Sequence, residues 1–186
     1  MPRSLYAGAL LALAVVAVPR AALAAGAPAG LQIDNTAQVN YTVGATTVTE
    51  PSNTVRIVVA EVVDVAVTLQ SPTTSVSPGA TGQVLVYRVT NTGNGSEAFR
   101  LTMDNVLGGD DFDPVAAVPA IYLDSDNSNS LTAADTPYTP GSNDPTLAAD
   151  AFATVLVVNS IPAPLANGAR GFSLLRAASL TGTGTP

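Results

Sequence analysis

Apolar and polar residues alternate in short runs along most of this chain, and Gly, Pro, Asn, Asp and Ser separate the runs. A period of two residues places alternate side chains on opposite faces of a β-strand, whereas a helix needs a period near 3.6. Clear examples lie at residues 38–43, 54–59 and 63–70. The pattern predicts antiparallel β structure, and no segment carries the signal of a helix.

A turn between two such runs stands out at the middle of the chain. The run at residues 83–90 is followed by Asn-Thr-Gly-Asn-Gly-Ser at 91–96 and then by Phe99, Leu101 and Met103. Because Asn-Gly tolerates the positive φ of tight turns, the segment predicts a hairpin.

Later strands are predicted around residues 120–123, 152–158 and 171–180. The run at 152–158 is apolar at almost every position, which is typical of a strand that is covered on both faces. At least eight short strands with turn signals between them favour a sandwich of two sheets. We therefore expect an all-β fold built as an antiparallel β-sandwich.

The first 24 residues have the form of a secretory signal peptide. Arg3 precedes an apolar run at 5–18, and Ala-Leu-Ala follows at 22–24. The run is shorter than the roughly 20 residues of a membrane-spanning helix, so cleavage near residue 24 is expected. An uncleaved anchor is the alternative, which Pro19-Arg20 at the end of the run favours. Cleavage predicts an exported protein of the periplasm, cell surface or extracellular space, since no later run is long enough to span a membrane.

The rest of the chain is expected to divide near Ala60-Glu61. Residues 25–60 form a small N-terminal β element, residues 61–182 form the sandwich module with an acidic loop insertion, and residues 183–186 are a low-complexity tail. An element of that size buries little surface alone. We expect it either to pack on the sandwich or to supply a strand to a neighbouring copy.

Charge excludes some classes of partner. Without Arg3 and Arg20, the net charge changes from −7 to −9, because residues 25–186 keep five Arg, no Lys and all fourteen acids. Nucleic acid and anionic membrane surfaces are poor partners for such a chain. Cysteine is absent, which excludes a disulfide framework, a thiolate metal site and a bacterial lipid anchor.

The absence of histidine and lysine argues against an enzyme. Without histidine, the chain lacks the side chain that most often acts as a general base near neutral pH, that activates a serine nucleophile and that ligates zinc. Schiff-base chemistry and the lysine of phosphate-binding loops are also missing. A carboxylate pair such as Asp110 and Asp111 remains a formal possibility, but nothing in the sequence indicates a cleft beside it. We expect no catalytic residue.

The strongest candidate for a site is acidic. Nine of the fourteen acids lie between Asp104 and Asp150, and no Arg occurs between Arg100 and Arg170. Within this stretch, residues 124–135 fit the twelve-residue calcium-loop template at most of its oxygen-bearing positions. The predicted ligands at positions one, three, five, seven, nine and twelve are Asp124, Asp126, Ser128, Ser130, Thr132 and Asp135.

The loop also departs from the template. Asn129 replaces the glycine at position six, Ser128 is a neutral ligand and Asp135 is shorter than the usual glutamate. Asn tolerates the left-handed conformation that position six needs. Ser130 would contribute its backbone carbonyl, and Thr132 would hold a water. With three carboxylates we expect weak calcium binding, roughly 10⁻⁴ to 10⁻³ M. The alternative is a solvated Asp/Asn/Ser turn that binds no ion.

Two further loops share this ambiguity. Residues 108–114 contain Asp110, Asp111 and Asp113, and residues 140–145 contain Asp144. Each either contributes cation ligands or is an ordinary surface loop.

Three segments resemble a known family. They are Asp-Asn-Thr-Ala at 34–37 with Tyr-Thr-Val at 41–43, Ser-Asn-Thr-Val at 52–55, and residues 89–99 around Asn-Thr-Gly-Asn. Together they resemble the bacterial surface conserved-repeat domain family, also grouped as domain of unknown function eleven. The resemblance implies an immunoglobulin-like sandwich, secretion or envelope attachment, a structural or adhesive role, and no assigned catalytic residue or ligand.

Two functions other than an enzyme compete. A structural or adhesive module of a bacterial cell envelope needs only an export signal, a sandwich and a rigidifying ion. A carbohydrate- or ligand-binding module would present exposed aromatic residues on a sheet face, but there is no Trp, and the Tyr and Phe residues are few and mostly at core-like positions. We expect the first function, with calcium as the cofactor and an envelope component, a glycan or another copy of the chain as the partner.

Overall fold

The computed structural model describes residues 26–181, and within that range the chain forms strands and turns without a helix. The predicted signal peptide at 1–24 and the tail at 183–186 lie outside the described residues, and the domain boundary stays a prediction. The strands are β1 (Gln32–Asn35), β2 (Gln38–Val43), β3 (Thr46–Pro51), β4 (Val55–Val58), β5 (Val65–Leu69), β6 (Gln83–Asn91), β7 (Glu97–Asp104), β8 (Val115–Leu123), β9 (Thr136–Pro137), β10 (Thr146–Leu147), β11 (Phe152–Ser160) and β12 (Leu174–Ser179).

The larger sheet has five antiparallel strands in the order β5-β6-β11-β8-β9. The central strand β11 pairs with β6 on one side and β8 on the other, so Val155 lies between Tyr87 and Leu123. Four consecutive residues of β11, from Val155 to Val158, are only 0 to 4% exposed. The apolar run therefore does form a strand that is covered on both faces, as its sequence predicts.

The smaller sheet has the order β10-β7-β12 and packs against the larger one. The strand order matches an immunoglobulin-type sandwich, with β5, β6, β11 and β8 as strands A, B, E and D, and with β7 and β12 as C and F. The predicted all-β sandwich is thus confirmed. Its core contains Tyr87, Val89, Phe99, Leu101, Ile121, Tyr138, Leu147, Val155, Val157 and Leu175.

The predicted hairpin at residues 91–96 is wrong. β6 pairs with β5 and β11, whereas β7 pairs with β10 and β12, so the turn carries the chain from one sheet to the other. Both sheets bury apolar side chains against each other, and a sheet-to-sheet corner allows β6 and β7 to contribute to opposite layers. Residues 91–96 therefore form a corner between the two sheets and not a hairpin within one sheet.

The N-terminal element is a two-stranded ribbon at residues 31–59. β1 pairs with β4, and the hairpin of β2 and β3 continues the ribbon beyond residues 36–37 and 52–54. Almost every side chain of these four strands is exposed. The ribbon is therefore stabilised by the hydrogen bonds between its own strands. It is also stabilised at its root, which is the end where it joins the sandwich.

Asn94 holds the root of the ribbon to the sandwich corner. Its backbone NH donates to Val62 O at 3.1 Å, and its Oδ1 accepts from Val62 N at 2.7 Å. Its Nδ2 donates to Ala27 O and Ala60 O, and its carbonyl accepts from Ala29 N. One asparagine thereby ties both ends of the ribbon to the β6–β7 corner, which explains the turn chemistry at that position.

Candidate metal centre

The acidic loop at residues 124–135 leaves the larger sheet from β8 and returns to it at β9. At its start, Asp124 N donates to Thr154 O of β11 at 3.1 Å, and just beyond its end Tyr138 N donates to Ile121 O at 2.9 Å. Both ends of the loop are therefore fixed by the sheet.

The fold brings three carboxylates of the loop together. One oxygen from each of Asp124, Asp126 and Asp135 lies within 4.8 Å of the others, and in the described part of the chain this is the one acidic group with metal-site geometry. Asp124 and Asp135 are 8 and 7% exposed, whereas Asp126 faces solvent. These residues occupy positions one, three and twelve of the predicted loop.

Backbone amides and one hydroxyl surround these carboxylates. Asp124 accepts from the NH groups of Ser128 and Asn129 at 3.1 and 3.0 Å, and Asp135 accepts from those of Ser125 and Thr132 at 3.0 and 2.7 Å. Asp126 accepts from Ser128 N and from the Thr132 hydroxyl. The donors from Ser128 and Thr132 lower the pKa of Asp126 below its usual value, because they favour the charged form.

The three predicted neutral ligands make hydrogen bonds inside the loop. The Ser128 hydroxyl donates to Ser130 O at 2.8 Å, and the Thr132 hydroxyl donates to Asp126 Oδ2 at 2.9 Å. Ser128, Ser130 and Thr132 therefore order the loop around the carboxylates, and their role as ligands stays a prediction. Because the Ser130 carbonyl oxygen already accepts from the Ser128 hydroxyl, an ion would have to bind the second lone pair of that oxygen.

The backbone makes the turn that the template requires. Asn129 at position six has φ 56°, and Asn127 has the same φ. Asn is among the few residues that adopt this left-handed conformation readily. The replacement of glycine by Asn129 is thus compatible with a calcium-type loop.

The donor set fits one hard cation. Calcium binds oxygen at 2.3 to 2.6 Å, so ligands on opposite sides of one ion are about 5 Å apart and adjacent ligands are closer. A spread of at most 4.8 Å among the three oxygens agrees with that geometry. Each ionised carboxylate has lone pairs left after accepting one or two NH groups, so an ion can be added without breaking those bonds.

The second acidic cluster ties two loops together. Asp111 Oδ2 accepts from Arg170 N at 2.8 Å, and Asp110 Oδ2 accepts from Phe172 N at 3.0 Å. Gly171 lies between Arg170 and Phe172 in the sequence, and a Cβ atom at position 171 would come within 2.5 Å of the Phe112 ring. Both carboxylates thus hold the backbone that leads into β12. The arrangement favours the surface-loop interpretation over a ligand source.

Asp144, in the third acidic loop, belongs to a network that the sequence did not reveal. It pairs with Arg100 at 3.1 Å and accepts a short hydrogen bond from the Tyr138 hydroxyl, which in turn accepts from Leu101 N at 2.9 Å. The network anchors the chain just after the acidic loop onto β7. The only sequence signal was a lone Arg100 at the start of a long acidic stretch.

This network makes stability depend on pH. The hydrogen bond from Tyr138, the pairing with Arg100 and the Gly141 NH lower the pKa of Asp144 despite its burial. A carboxyl with a lowered folded pKa stabilises the fold above its unfolded pKa, near 3.9, and loses that contribution as the pH falls through the folded pKa. Asp144→Asn is expected to flatten the fall of melting temperature between about pH 5 and pH 2.

Asp113→Asn is the matched control, because it removes an exposed carboxylate of another acidic loop. Each variant is compared with its own melting temperature at pH 7, so a general loss of stability cancels. An Asp144→Asn profile that is as steep as that of the control would contradict the assignment.

Among residues 26–181, the exposed aromatic side chains lie on three different parts of the fold. Tyr41 lies on the ribbon, Phe152 on β11 and Phe172 before β12, and all three are exposed. The guanidinium of Arg88 lies 4.1 Å from the centre of the Phe152 ring and so covers one face of that ring. Sugar binding by aromatic stacking therefore has little support in the described residues.

Comparison with known proteins adds no assignment. No family model, no curated protein and no solved structure matches the chain. The resemblance to the surface conserved-repeat family accordingly stays a prediction.

Proposed function

We propose that this protein is an exported structural or adhesive module of a bacterial cell envelope or surface, and that residues 124–135 bind one calcium ion. The observation that supports the ion most directly is the convergence of Asp124, Asp126 and Asp135 on a loop that is fixed at both ends. The apolar leader supports export.

A bound ion would stabilise the loop by neutralising three carboxylates in a small volume. The existing NH donors offset part of their mutual repulsion, and Asp124 and Asp135 are shielded from water. A divalent cation would offset the remainder at short range, because its interaction with partly buried charges is weakly screened. The ion would thus hold residues 124–135 in one conformation.

Because residues 124–135 lie beside the outer face of the larger sheet, an ion that holds the loop in one conformation would also affect how that face is covered. Asn129 to Leu131 and the segment Gln70 to Pro72 line one shallow depression with Val84 and Val86, on the outer face of β6. Leu156 and Val158 point to the same face of the sheet, as their pairing with Val86 and Val84 requires. The loop therefore helps to close the outer layer over the most buried strand.

A non-enzymatic role agrees with how the acidic residues are used. Asp110 and Asp111 accept hydrogen bonds from backbone NH groups of the segment before β12. Both carboxylates therefore have a structural role. The excess of acids over arginines also argues against nucleic acid as a partner. An envelope component, a glycan or another copy of the chain remains the expected partner.

Calcium at about 5 mM is expected to raise the melting temperature relative to chelator. For a dissociation constant of roughly 10⁻⁴ to 10⁻³ M, binding to the folded state contributes about 1 to 2 kcal/mol. For a chain of this size, that corresponds to a rise of about 2 to 8 °C. Thermal unfolding followed by circular dichroism, with isothermal titration of calcium beside it, measures both quantities.

Asp126→Asn is the sharpest variant, because it removes a charge from the exposed member of the three while keeping one oxygen, which can still accept from Ser128 N. The Thr132 hydroxyl, which donates to the other carboxylate oxygen, loses that acceptor. It should reduce the calcium-dependent rise, and Asp124→Ala with Asp126→Ala should abolish it. Asp113→Asn, outside the loop, should leave the rise unchanged. Equal melting temperatures with calcium and chelator in the unaltered protein would refute the calcium site, and an equal response to magnesium would refute the choice of ion.

A further inference from the structure

The ribbon has two faces of opposite character along its whole length. Its outgoing arm is β1 followed by β2, its returning arm is β3 followed by β4, and side chains directly opposite each other on the two arms share a face. Thr36 opposes Thr54, and Ala37 opposes Ser52, so Asn53 is an extra residue of the returning arm. The outgoing arm therefore alternates without interruption, and its odd-numbered side chains all lie on one face.

The face with the even-numbered residues of the outgoing arm, which we call the polar face, is paired internally. Asp34 accepts from Arg56 at 2.7 Å, and the Asn40 side chain accepts from the Thr49 hydroxyl at 2.7 Å. Val58 is the only large apolar side chain on this face. Cross-strand polar pairs of this kind suit a surface in contact with water.

The opposite side, which we call the apolar face, carries two clusters of large apolar side chains. The root cluster is Leu31, Ile33, Val55 and Ile57, and the tip cluster is Val39, Tyr41, Val43 and Val48. All of them except Val48 are 44 to 63% exposed, and the small or polar residues Asn35, Ala37 and Ser52 lie between the clusters. An exposed apolar strip of this length marks an interaction surface.

The two clusters are arranged so that the apolar face is complementary to itself. Along the outgoing arm, Ile33 and Tyr41 are equally far from Ala37, and so are Leu31 and Val43. Two ribbons that stack face to face and run in opposite directions therefore place the root cluster of each copy on the tip cluster of the other. Such a contact uses the same surface twice, as the two-fold interfaces of homodimers do.

Charge favours the same opposed arrangement. Residues 31–59 hold two acids and one Arg, whereas residues 60–181 hold twelve acids and four Arg. Ribbons that run in the same direction would place two strongly negative sandwiches side by side. Opposed ribbons place the sandwiches at the two ends of a stack about 45 Å long, well beyond the screening length of about 8 Å in physiological salt. Glu50 is the one charge on the apolar face, and it lies on an edge where its carboxylate stays in water.

We propose that the apolar face of the ribbon is the contact between two copies of this chain, stacked face to face with their ribbons running in opposite directions. Tyr41 of one copy then lies on Ile33 of the other, and Val48 lies on Ile57. Stacked sheets keep their strand directions within about 30° and bury the side chains between them. Two such layers stabilise each other, whereas a single two-stranded ribbon is marginal in water.

The area of the apolar face indicates a weak dimer. The outgoing arm from residue 31 to residue 43 is about 45 Å long and the ribbon is about 10 Å wide, so the contact covers about 450 Å² on each partner. The total of about 900 Å² is below the roughly 1,200 Å² at which stable interfaces begin, and it falls in the class of transient contacts. We expect a dissociation constant of about 10⁻⁵ to 10⁻⁴ M.

Sedimentation velocity tests the proposal on the full chain, produced in an exporting host so that processing can occur. Between about 5 and about 500 µM, the unaltered protein should change from monomer to dimer. Val39→Ser/Tyr41→Ser/Val43→Ser should raise the dissociation constant at least tenfold, because it removes most of the tip cluster. Gln38→Ser/Thr42→Ser, the matched control on the polar face of the same strand, should leave it unchanged.

Two charge variants separate loss of the contact from loss of the ribbon's own structure. Tyr41→Arg and Ile33→Asp each place a charge on the apolar face, so each variant alone should dimerise at least tenfold more weakly than the unaltered protein. Mixed in equal amounts, the two should associate at least fivefold more tightly than either alone, because the new guanidinium of one copy then faces the new carboxylate of the other. Ribbons that run in the same direction would place position 41 on position 41 and would give no such rescue.

The dimer should persist in chelator, because the ribbon contact is independent of the calcium site. Three results would overturn the proposal. They are a protein that stays monomeric over the whole concentration range, a dimer that survives the loss of the tip cluster, and a mixture of the charge variants that associates no better than either variant alone.

Discussion

Phe99→Ala is expected to lower the free energy of unfolding by about 3 to 5 kcal/mol, the usual cost of removing a buried aromatic ring. Phe99 is fully buried on β7, and it lies in the core shared by both sheets. The lost ring leaves a cavity that the two paired layers cannot close, because the β7 backbone is held between β10 and β12. Urea unfolding followed by circular dichroism measures the loss as a lower midpoint at unchanged slope.

Phe172→Ala is the matched control, because it removes the same ring from a position that is 45% exposed. Its cost should be below about 1 kcal/mol, as for most surface substitutions. Equal costs at the two positions would show that Phe99 does not occupy the core described here. A changed slope for Phe99→Ala would point to a loss of two-state unfolding.

Asn91→Ala is expected to cost about 2 to 4 kcal/mol, although it removes no apolar contact. The buried Asn91 amide donates to Gly95 O at 2.8 Å and Leu147 O at 2.9 Å, and its Oδ1 accepts from Gly93 N at 2.9 Å. Alanine leaves these backbone groups without a partner near the sandwich corner, and each unsatisfied buried group costs about 1 to 3 kcal/mol. Urea unfolding again gives the loss.

Asn40→Ala is its control, since Asn40 is exposed on the ribbon and makes one side-chain hydrogen bond to Thr49. That change should cost less than about 1 kcal/mol. Asn91→Asp keeps the acceptor for Gly93 N but loses both donors, so it should remain clearly destabilised. Full stability of Asn91→Asp would mean that the donors to Gly95 and Leu147 contribute nothing.

The carboxylate cluster of the acidic loop was predictable because its three members are close in sequence. The spacing of Asp124, Asp126 and Asp135 is a local property, and one turn of backbone with Asn129 in the left-handed region brings them together. The network of Arg100, Tyr138 and Asp144 could not be found in this way. Arg100 lies on β7 and the other two lie beyond the acidic loop, so only the packing of the two sheets joins them.

The sequence alone determined the secondary structure class and the buried faces. Alternation at period two directs Tyr87 and Val89 inward, and the unbroken apolar run at residues 152–158 requires cover on both sides of β11. These are properties of single strands, since the direction of each side chain follows from the backbone geometry of its own strand.

Tertiary structure decided which strands are neighbours. The turn at residues 91–96 has hairpin residues, yet the strands on either side pair in different sheets, and Asn94 uses its amide to hold the ribbon. The order of the strands within each sheet is likewise stated by no local pattern. The physical reason is that strand pairing and sheet packing join residues far apart in the chain, and burial of apolar surface by both layers together selects among the pairings that local patterns allow.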